Sequence, residues 1–139
     1  MINTILTSLQ LPKGWWRKLI LLGLAAFFIN VGVDHFVNPD FYLGIMPPAF
    51  PLHAEAVYIS GFFEVLGGIG VLVPRLRKIA GWSLLALLVA VYPANIYMAL
   101  NPEIFPDIPV TLLYIRLAFQ FLFFYWAYIV TRPIYNQSA

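Results

Sequence analysis

The sequence predicts an all-α protein, a bundle of four transmembrane helices with an interfacial first outer loop. Of the 139 residues, 62% are hydrophobic and only 10% are charged, whereas a soluble domain carries about 25% charged residues. Prolines separate four long apolar segments. These segments use most of the chain, so we expect residues 1–139 to form a single membrane domain.

Four segments are long enough to cross the hydrocarbon core of a bilayer, which takes roughly 20 apolar residues. The prolines between the segments lack an amide hydrogen and disfavour helix in the preceding residue, so they end each segment. Backbone polar groups in lipid must be satisfied internally, so long apolar runs indicate helices. The predicted spans are Trp16–Val37, Ala54–Val73, Ile79–Leu100 and Val110–Val130.

The loop after the first segment, residues 38–51, has an unusual composition. It is rich in aromatic residues and proline, and Asp40 is its one charged residue. A solvated loop would carry more polar side chains. We expect this loop to lie flat at the outer interface and to cover a polar pocket beneath it.

Charge predicts the orientation. Basic residues lie at the start of the first segment, in the second loop and after the last segment. The other two loops carry acidic residues instead. The positive-inside rule therefore places both termini in the cytoplasm. The net charge of +2 excludes a nucleic-acid partner, and the absence of cysteine excludes disulfides and thiol redox chemistry. The basic residues used here are Lys13, Arg17, Lys18, Arg75, Arg77, Lys78 and Arg132.

Several polar residues lie inside the predicted spans. A charge near the bilayer centre costs at least about 2.5–3.5 kcal/mol, so such residues face the bundle interior or a wet cavity. Residues four apart share a helix face, as Asn30 does with Asp34 and Arg116 with Gln120. We therefore predict a site for ligand binding or proton relay in the outer half of the bundle. Its residues are Asn30, Asp34, His35, Glu64, Asn95, Tyr97, Arg116 and Gln120.

A purely structural interpretation of these residues remains open. Arg116 would then pair with Glu64 or Asp34 and hold the helices together, and removing one partner would leave an unpaired buried charge. A metal site is not expected, because Asp34, His35 and Glu64 are permissible ligands without a diagnostic spacing. A functional site is the interpretation that we develop, because ionisable residues within a membrane usually mark one.

Three motifs resemble the DoxX-like family of small membrane proteins. They are the turn His-Phe-x-Asn-Pro at His35, the segment Gly-x-x-Glu-x-x-Gly-Gly-x-Gly-x-x-x-Pro around Glu64, and Pro-Ala-Asn-x-Tyr-Met around Asn95. The resemblance implies a bacterial inner-membrane protein and carries over Glu64 and Asn95 as polar positions. Relatives in that family include parts of thiosulfate:quinone oxidoreductases, oxidative-stress membrane complexes and methylamine-utilisation assembly proteins.

These observations favour binding of a quinone or another small lipophilic ligand in a redox-associated role. The chain holds no recognisable electron carrier, so an enzymatic role would be that of a quinone-linked oxidoreductase subunit. The alternatives are a non-enzymatic assembly factor and, less favoured, a small proton-coupled transporter. The expected partners are membrane lipids and a membrane protein or a second copy of the chain. The expected hydrogen-bond donors are Arg116, Asn95 and Tyr97, and the expected proton carriers are Glu64, Asp34 and His35.

Overall fold

The computed structural model describes residues 11–136, which form helices and turns without a strand. Three of the helices, α1, α4 and α5, are long and apolar enough to cross a membrane. Both termini, predicted to be cytoplasmic, lie outside the described residues. The helices are α1 (Trp15–Val37), α2 (Pro39–Gly44), α3 (His53–Gly70), α4 (Arg77–Leu100) and α5 (Val110–Val130), with 3₁₀ helices at Pro102–Ile104 and Pro133–Asn136.

The predicted helix positions agree well with the observed ones, with one difference in α3. This helix has 18 residues and ends at Gly70, three residues before the predicted end at Val73. Pro74 disfavours helix at Val73, and the chain there makes turns instead, with Val73 N donating to the Gly70 carbonyl at 3.1 Å. Of the four predicted spans, α3 is the one that does not meet the criterion of length and apolarity within the described chain.

The first outer loop contains a short helix that the sequence analysis did not predict. Its first part forms α2, which begins at Pro39, where a missing amide hydrogen costs nothing. Asn38 precedes it and donates a side-chain hydrogen bond to Asp34 at 2.5 Å. His53 Nε2 donates to the Pro47 carbonyl at 3.1 Å. The loop is thereby held against the ends of α1 and α3.

The long helices run antiparallel to their sequence neighbours. The most extensive contacts join α1 to α3 and α4 to α5, while α3 also packs on α4 and α1 touches α5. We call the end at which α1 and α4 finish the loop end, since residues 38–52 and 101–109 lie there. Away from it, Leu24, Phe28, Leu84 and other apolar side chains form the main buried core.

Helices α1 and α3 approach each other closely where Gly32 of α1 meets Gly61 of α3. A Cβ atom at Gly32 would lie 2.7 Å from the Gly61 carbonyl oxygen and 2.8 Å from the Val65 nitrogen. Both neighbours are backbone atoms, so they cannot move aside without shifting a helix. Small residues of this kind let helix backbones approach closely in membranes. His35 of α1 and Glu64 of α3 lie on opposite sides of this contact along the antiparallel helices, and their side chains meet there, with Nδ1 3.2 Å from Oε2.

Arg77, predicted to lie in a charged cytoplasmic loop, is completely buried. It begins α4 and donates hydrogen bonds to the Val71 carbonyl at 2.6 Å, the Tyr135 carbonyl at 2.6 Å and the Leu72 carbonyl at 3.3 Å. It therefore ties the turn after α3 to the segment after α5. The charge pattern gave no sign of this role. An arginine that donates to several buried carbonyl oxygens and an exposed arginine that orients the protein in the membrane look the same in the sequence.

We predict that Gly32→Ala destabilises the protein, because the added methyl group meets backbone atoms of α3. Overpacking of this kind typically costs about 1–3 kcal/mol. Gly44→Ala is the matched control, since a Cβ atom there meets nothing within 4 Å. The measurement is the free energy of unfolding in detergent micelles, and equal stability of the two variants would contradict the proposed contact.

We also predict that Arg77→Met lowers the free energy of unfolding by more than about 3 kcal/mol, because several carbonyl oxygens lose their donor at once. Arg75→Met is the control, since Arg75 is exposed and two residues away. Denaturant titration of both variants compares them. A loss confined to the Arg75 variant, or a similar loss in both, would show that the buried hydrogen bonds of Arg77 contribute little.

Candidate functional site

A cavity of about 560 Å³ lies toward the loop end between α1, α3, α4 and α5. Residues 41–50 of the first outer loop cover it, as the composition of that loop had suggested. Most of the wall is aromatic or aliphatic. The polar side chains on the wall are His35, Tyr42, Ser60, Glu64, Asn95, Arg116 and Gln120.

One side of the cavity carries a buried acid without a hydrogen bond. Glu64 is 5% exposed, and its Oε2 atom has no hydrogen-bond partner among residues 11–136. His35 Nδ1 lies 3.2 Å from this oxygen, yet it donates to the Val31 carbonyl at 2.8 Å. A carbonyl can only accept, so Nδ1 carries a hydrogen that points along α1. The proximity of His35 therefore does not give Glu64 Oε2 a hydrogen bond, although Glu64 lines the cavity.

Tyr42 contacts both His35, which lines the cavity, and Asp34, which does not. Its ring stacks on His35 with 3.8 Å between ring centroids, and its hydroxyl donates to Asp34 Oδ2 at 2.7 Å. Burial raises the pKa of the Tyr42 phenol, and the Asp34 carboxylate raises it further. Tyr42 is therefore a neutral donor that fixes the covering loop over the pocket.

The opposite side carries a chain of hydrogen bonds between α4 and α5. Arg116 Nη2 donates to Asn95 Oδ1 at 3.3 Å, Asn95 Nδ2 donates to Gln120 Oε1 at 3.0 Å, and Gln120 Nε2 donates to the Leu88 carbonyl at 3.0 Å. Pro93 interrupts the backbone hydrogen bonds of α4 nearby. The amides thus satisfy each other, whereas among residues 11–136 most of the five N–H donors of Arg116 have no hydrogen-bond acceptor.

The pairing of Arg116 with Glu64 or Asp34, which the purely structural interpretation requires, is not found. Within the described chain, no acidic oxygen lies within 4.0 Å of the Arg116 guanidinium, and the contact between a basic and an acidic side chain that meets this distance is His35–Glu64. Asp34 is occupied by Asn38 and Tyr42. The reason is architectural, since Glu64 and Arg116 project from α3 and α5, which lie on different sides of the cavity.

The mouth of the cavity is apolar. Five large apolar residues line the cavity and are also substantially exposed, between 40% and 50%. Phe41 and Phe50 belong to the covering loop, whereas Leu112, Ile115 and Phe119 lie on the first half of α5. An opening rimmed by such side chains suits exchange of an apolar molecule with surrounding lipid better than exchange with water.

Of the eight predicted site residues, the structure places five on the cavity wall: His35, Glu64, Asn95, Arg116 and Gln120. Asn30, Asp34 and Tyr97 do not line it. Asn30 is exposed, because the inward face of α1 is set by Phe28, Gly32 and His35. Asp34 accepts a hydrogen bond from Tyr42, which does line the cavity. Tyr97 packs edge-on against Phe105.

Tyr42 lines the cavity but is not among the site residues that the sequence predicts. The available signal was its spacing, since Tyr42 follows His35 by seven residues across a proline turn, but only the fold of α2 brings the two rings together. In residues 11–136 no group of three His, Cys, Asp or Glu side chains is placed to hold a metal ion.

Comparison with known proteins places this site within a family. No curated protein and no solved structure matches the chain significantly. Residues 24–131 match a family model described as "Domain of unknown function (DUF8561)". The match spans every residue that lines the cavity and more than half of the chain. The chain therefore belongs to the DUF8561 family.

Proposed function

We propose that the protein is a multi-pass protein of the bacterial inner membrane that crosses the bilayer four times, with both termini in the cytoplasm. The three long apolar helices support this proposal. The fourth crossing would be α3, whose 18 residues measure roughly 27 Å at about 1.5 Å per residue, close to the hydrocarbon thickness. Its ionisable residue Glu64 is buried, because the helix packs against α1 and α4, and would therefore be kept away from the lipid chains.

The charge asymmetry agrees with that orientation. Lys78, Arg75 and Arg132 lie at the end opposite the loop end, whereas Glu103 and Asp107 lie at the loop end. Arg77 is committed to internal hydrogen bonds, so the other basic residues carry the positive-inside signal.

We further propose that the cavity binds a small lipophilic molecule with a polar headgroup, quinone-like in shape, in a redox-associated role. The observation that carries this proposal is that Glu64, on the wall of a largely apolar cavity of about 560 Å³, has a buried Oε2 atom without a hydrogen bond. A buried acceptor left unsatisfied costs about 1–3 kcal/mol, which a ligand donor would recover. Apolar pockets with a few convergent polar groups are typical of small-molecule sites.

A quinone headgroup suits the arrangement of polar groups. One carbonyl oxygen would accept from the unused N–H donors of Arg116, and the reduced form would present a hydroxyl donor to Glu64. An isoprenoid tail would leave through the mouth formed by Leu112, Ile115 and Phe119. Electrons would come from a partner subunit or bound cofactor, because the side chains described offer no electron carrier.

The DoxX-like resemblance belongs to the same proposal. Two of its motifs contain Glu64 and Asn95, which lie on different walls of the cavity. A shared ligand site would explain why polar residues occur at both positions. The alternative of an assembly factor gains no specific support from the cavity.

We predict that Glu64→Gln and Arg116→Gln each weaken binding of a short-chain quinol analogue at least about tenfold. Arg116→Gln removes a charged hydrogen-bond partner, and such bonds are worth about 1.5–3 kcal/mol. Glu64→Gln replaces a carboxyl oxygen, the proposed acceptor for the quinol hydroxyl, by an amide group that donates. Isothermal titration calorimetry with the protein in lipid nanodiscs measures the dissociation constant.

The matched controls are Glu55→Gln, an exposed acid on the same helix as Glu64, and Arg75→Gln, an exposed arginine outside the cavity. Both should bind as the unchanged protein does. Absence of binding in the unchanged protein would reject the quinone proposal. Equal affinity in all five proteins would place the ligand elsewhere.

We predict four crossings from single-cysteine labelling, which the cysteine-free sequence makes straightforward. Glu103→Cys and Phe50→Cys should react with a membrane-impermeant maleimide added to whole spheroplasts, whereas Arg75→Cys should react only after permeabilisation. Both loop-end positions are exposed. Reaction of Phe50→Cys and Arg75→Cys from the same side would mean that α3 does not cross.

A further inference from the structure

Asn30 is a polar side chain on an apolar, exposed helix face. It lies on α1, is exposed, and makes no side-chain hydrogen bond among residues 11–136. Its neighbours on the same face are Leu22, Ala26 and Val33, all exposed. Nothing within the described chain explains why an amide occupies this position.

The depth of Asn30 makes its exposure costly in a bilayer. It lies seven residues before the end of α1 at Val37, roughly 10 Å along the helix axis. With α1 spanning the membrane, that distance puts the amide within the hydrocarbon region. An amide that finds no partner there loses its hydrogen bonds with water and gains none in return.

The exposed residues around Asn30 repeat with the spacing of a helix–helix seam. These residues follow one another at intervals of three or four along one face of α1. Helices that pack at a shallow crossing angle contact each other through residues with this spacing. They are small or branched near Asn30, so a second helix can approach the amide closely. The face consists of Leu19, Leu22, Ala26, Asn30, Val33 and Val37.

We propose that this face of α1 pairs with α1 of a second copy of the chain, with the two Asn30 amides hydrogen-bonded across the interface. A second copy is the occupant that fits, because two copies inserted in the same orientation place Asn30 at the same depth. An amide both donates and accepts, so it is its own complement about a two-fold axis. A different protein would need a polar side chain matched to this depth.

The dimer leaves the cavity intact. The inward face of α1 carries Phe28, Gly32 and His35, on the other side of the helix from Asn30. The inference therefore rests on the proposed membrane insertion and is independent of the proposed ligand.

Disulfide trapping in native membranes tests the interface. The sequence has no cysteine, so Ala26→Cys and Val33→Cys each report a single contact. Both should form covalent dimers on mild oxidation. Ile59→Cys is the matched control, since Ile59 is 56% exposed on α3, at a comparable distance from the loop end, and should stay monomeric.

A second substitution tests the role of the amide itself. In the Val33→Cys background, Asn30→Leu should lower the dimer association constant about 3- to 20-fold, the range for one interhelical hydrogen bond in a membrane. Asn30→Gln should restore most of it. Trapping that is unchanged by Asn30→Leu, or equally strong at Ile59→Cys, would overturn the proposal.

Carbonate extraction of the same membranes separates the two possible failures. An integral protein that gives no covalent dimer at Ala26→Cys or Val33→Cys would reject the interface alone. Release of the chain into the soluble fraction would reject the proposed membrane insertion, and the interface with it.

Discussion

The contact between Gly32 and Gly61 is the constraint on which the rest of the site depends. Because neither residue has a side chain, α1 and α3 touch through their backbones. His35 follows Gly32 and Glu64 follows Gly61, in opposite directions because the helices are antiparallel. The short distance between the helices lets these two side chains meet on one wall. The same close approach leaves space on the other side, between this helix pair and the α4–α5 pair, and that space is the cavity.

The two sides of the cavity are organised differently. On α4 and α5, amides and an arginine form a chain of hydrogen bonds that ends on the Leu88 carbonyl. On α1 and α3, the buried Glu64 oxygen has no donor, because His35 is turned toward its own helix. An arginine and an ionisable acid that share a cavity without pairing are poor structural glue. They are better suited to recognising a molecule placed between them.

Positively charged residues of the sequence turn out to have three separate roles. Arg77 is a buried donor that joins the turn after α3 to the segment after α5. Arg116 faces the cavity, whereas Arg75 and Lys78 are exposed. A fork of five donors suits Arg77 to binding several carbonyl oxygens at once. Lysine could not replace it there, although both residues would carry the same topological signal.

The sequence by itself determined the helices, because hydropathy and proline act locally: α5 was predicted at its observed bounds, Val110–Val130. It also identified five residues of the cavity wall, because charge in an apolar segment is conspicuous. Only the tertiary structure decided which helix faces meet. The Gly32–Gly61 contact sets the rotation of α1, which turns His35 inward and Asn30 outward, and the folding of α2 brings Tyr42 onto His35. The rotation of α1 and the position of Tyr42 depend on packing between segments that are distant in the sequence, so a local sequence pattern cannot predict them.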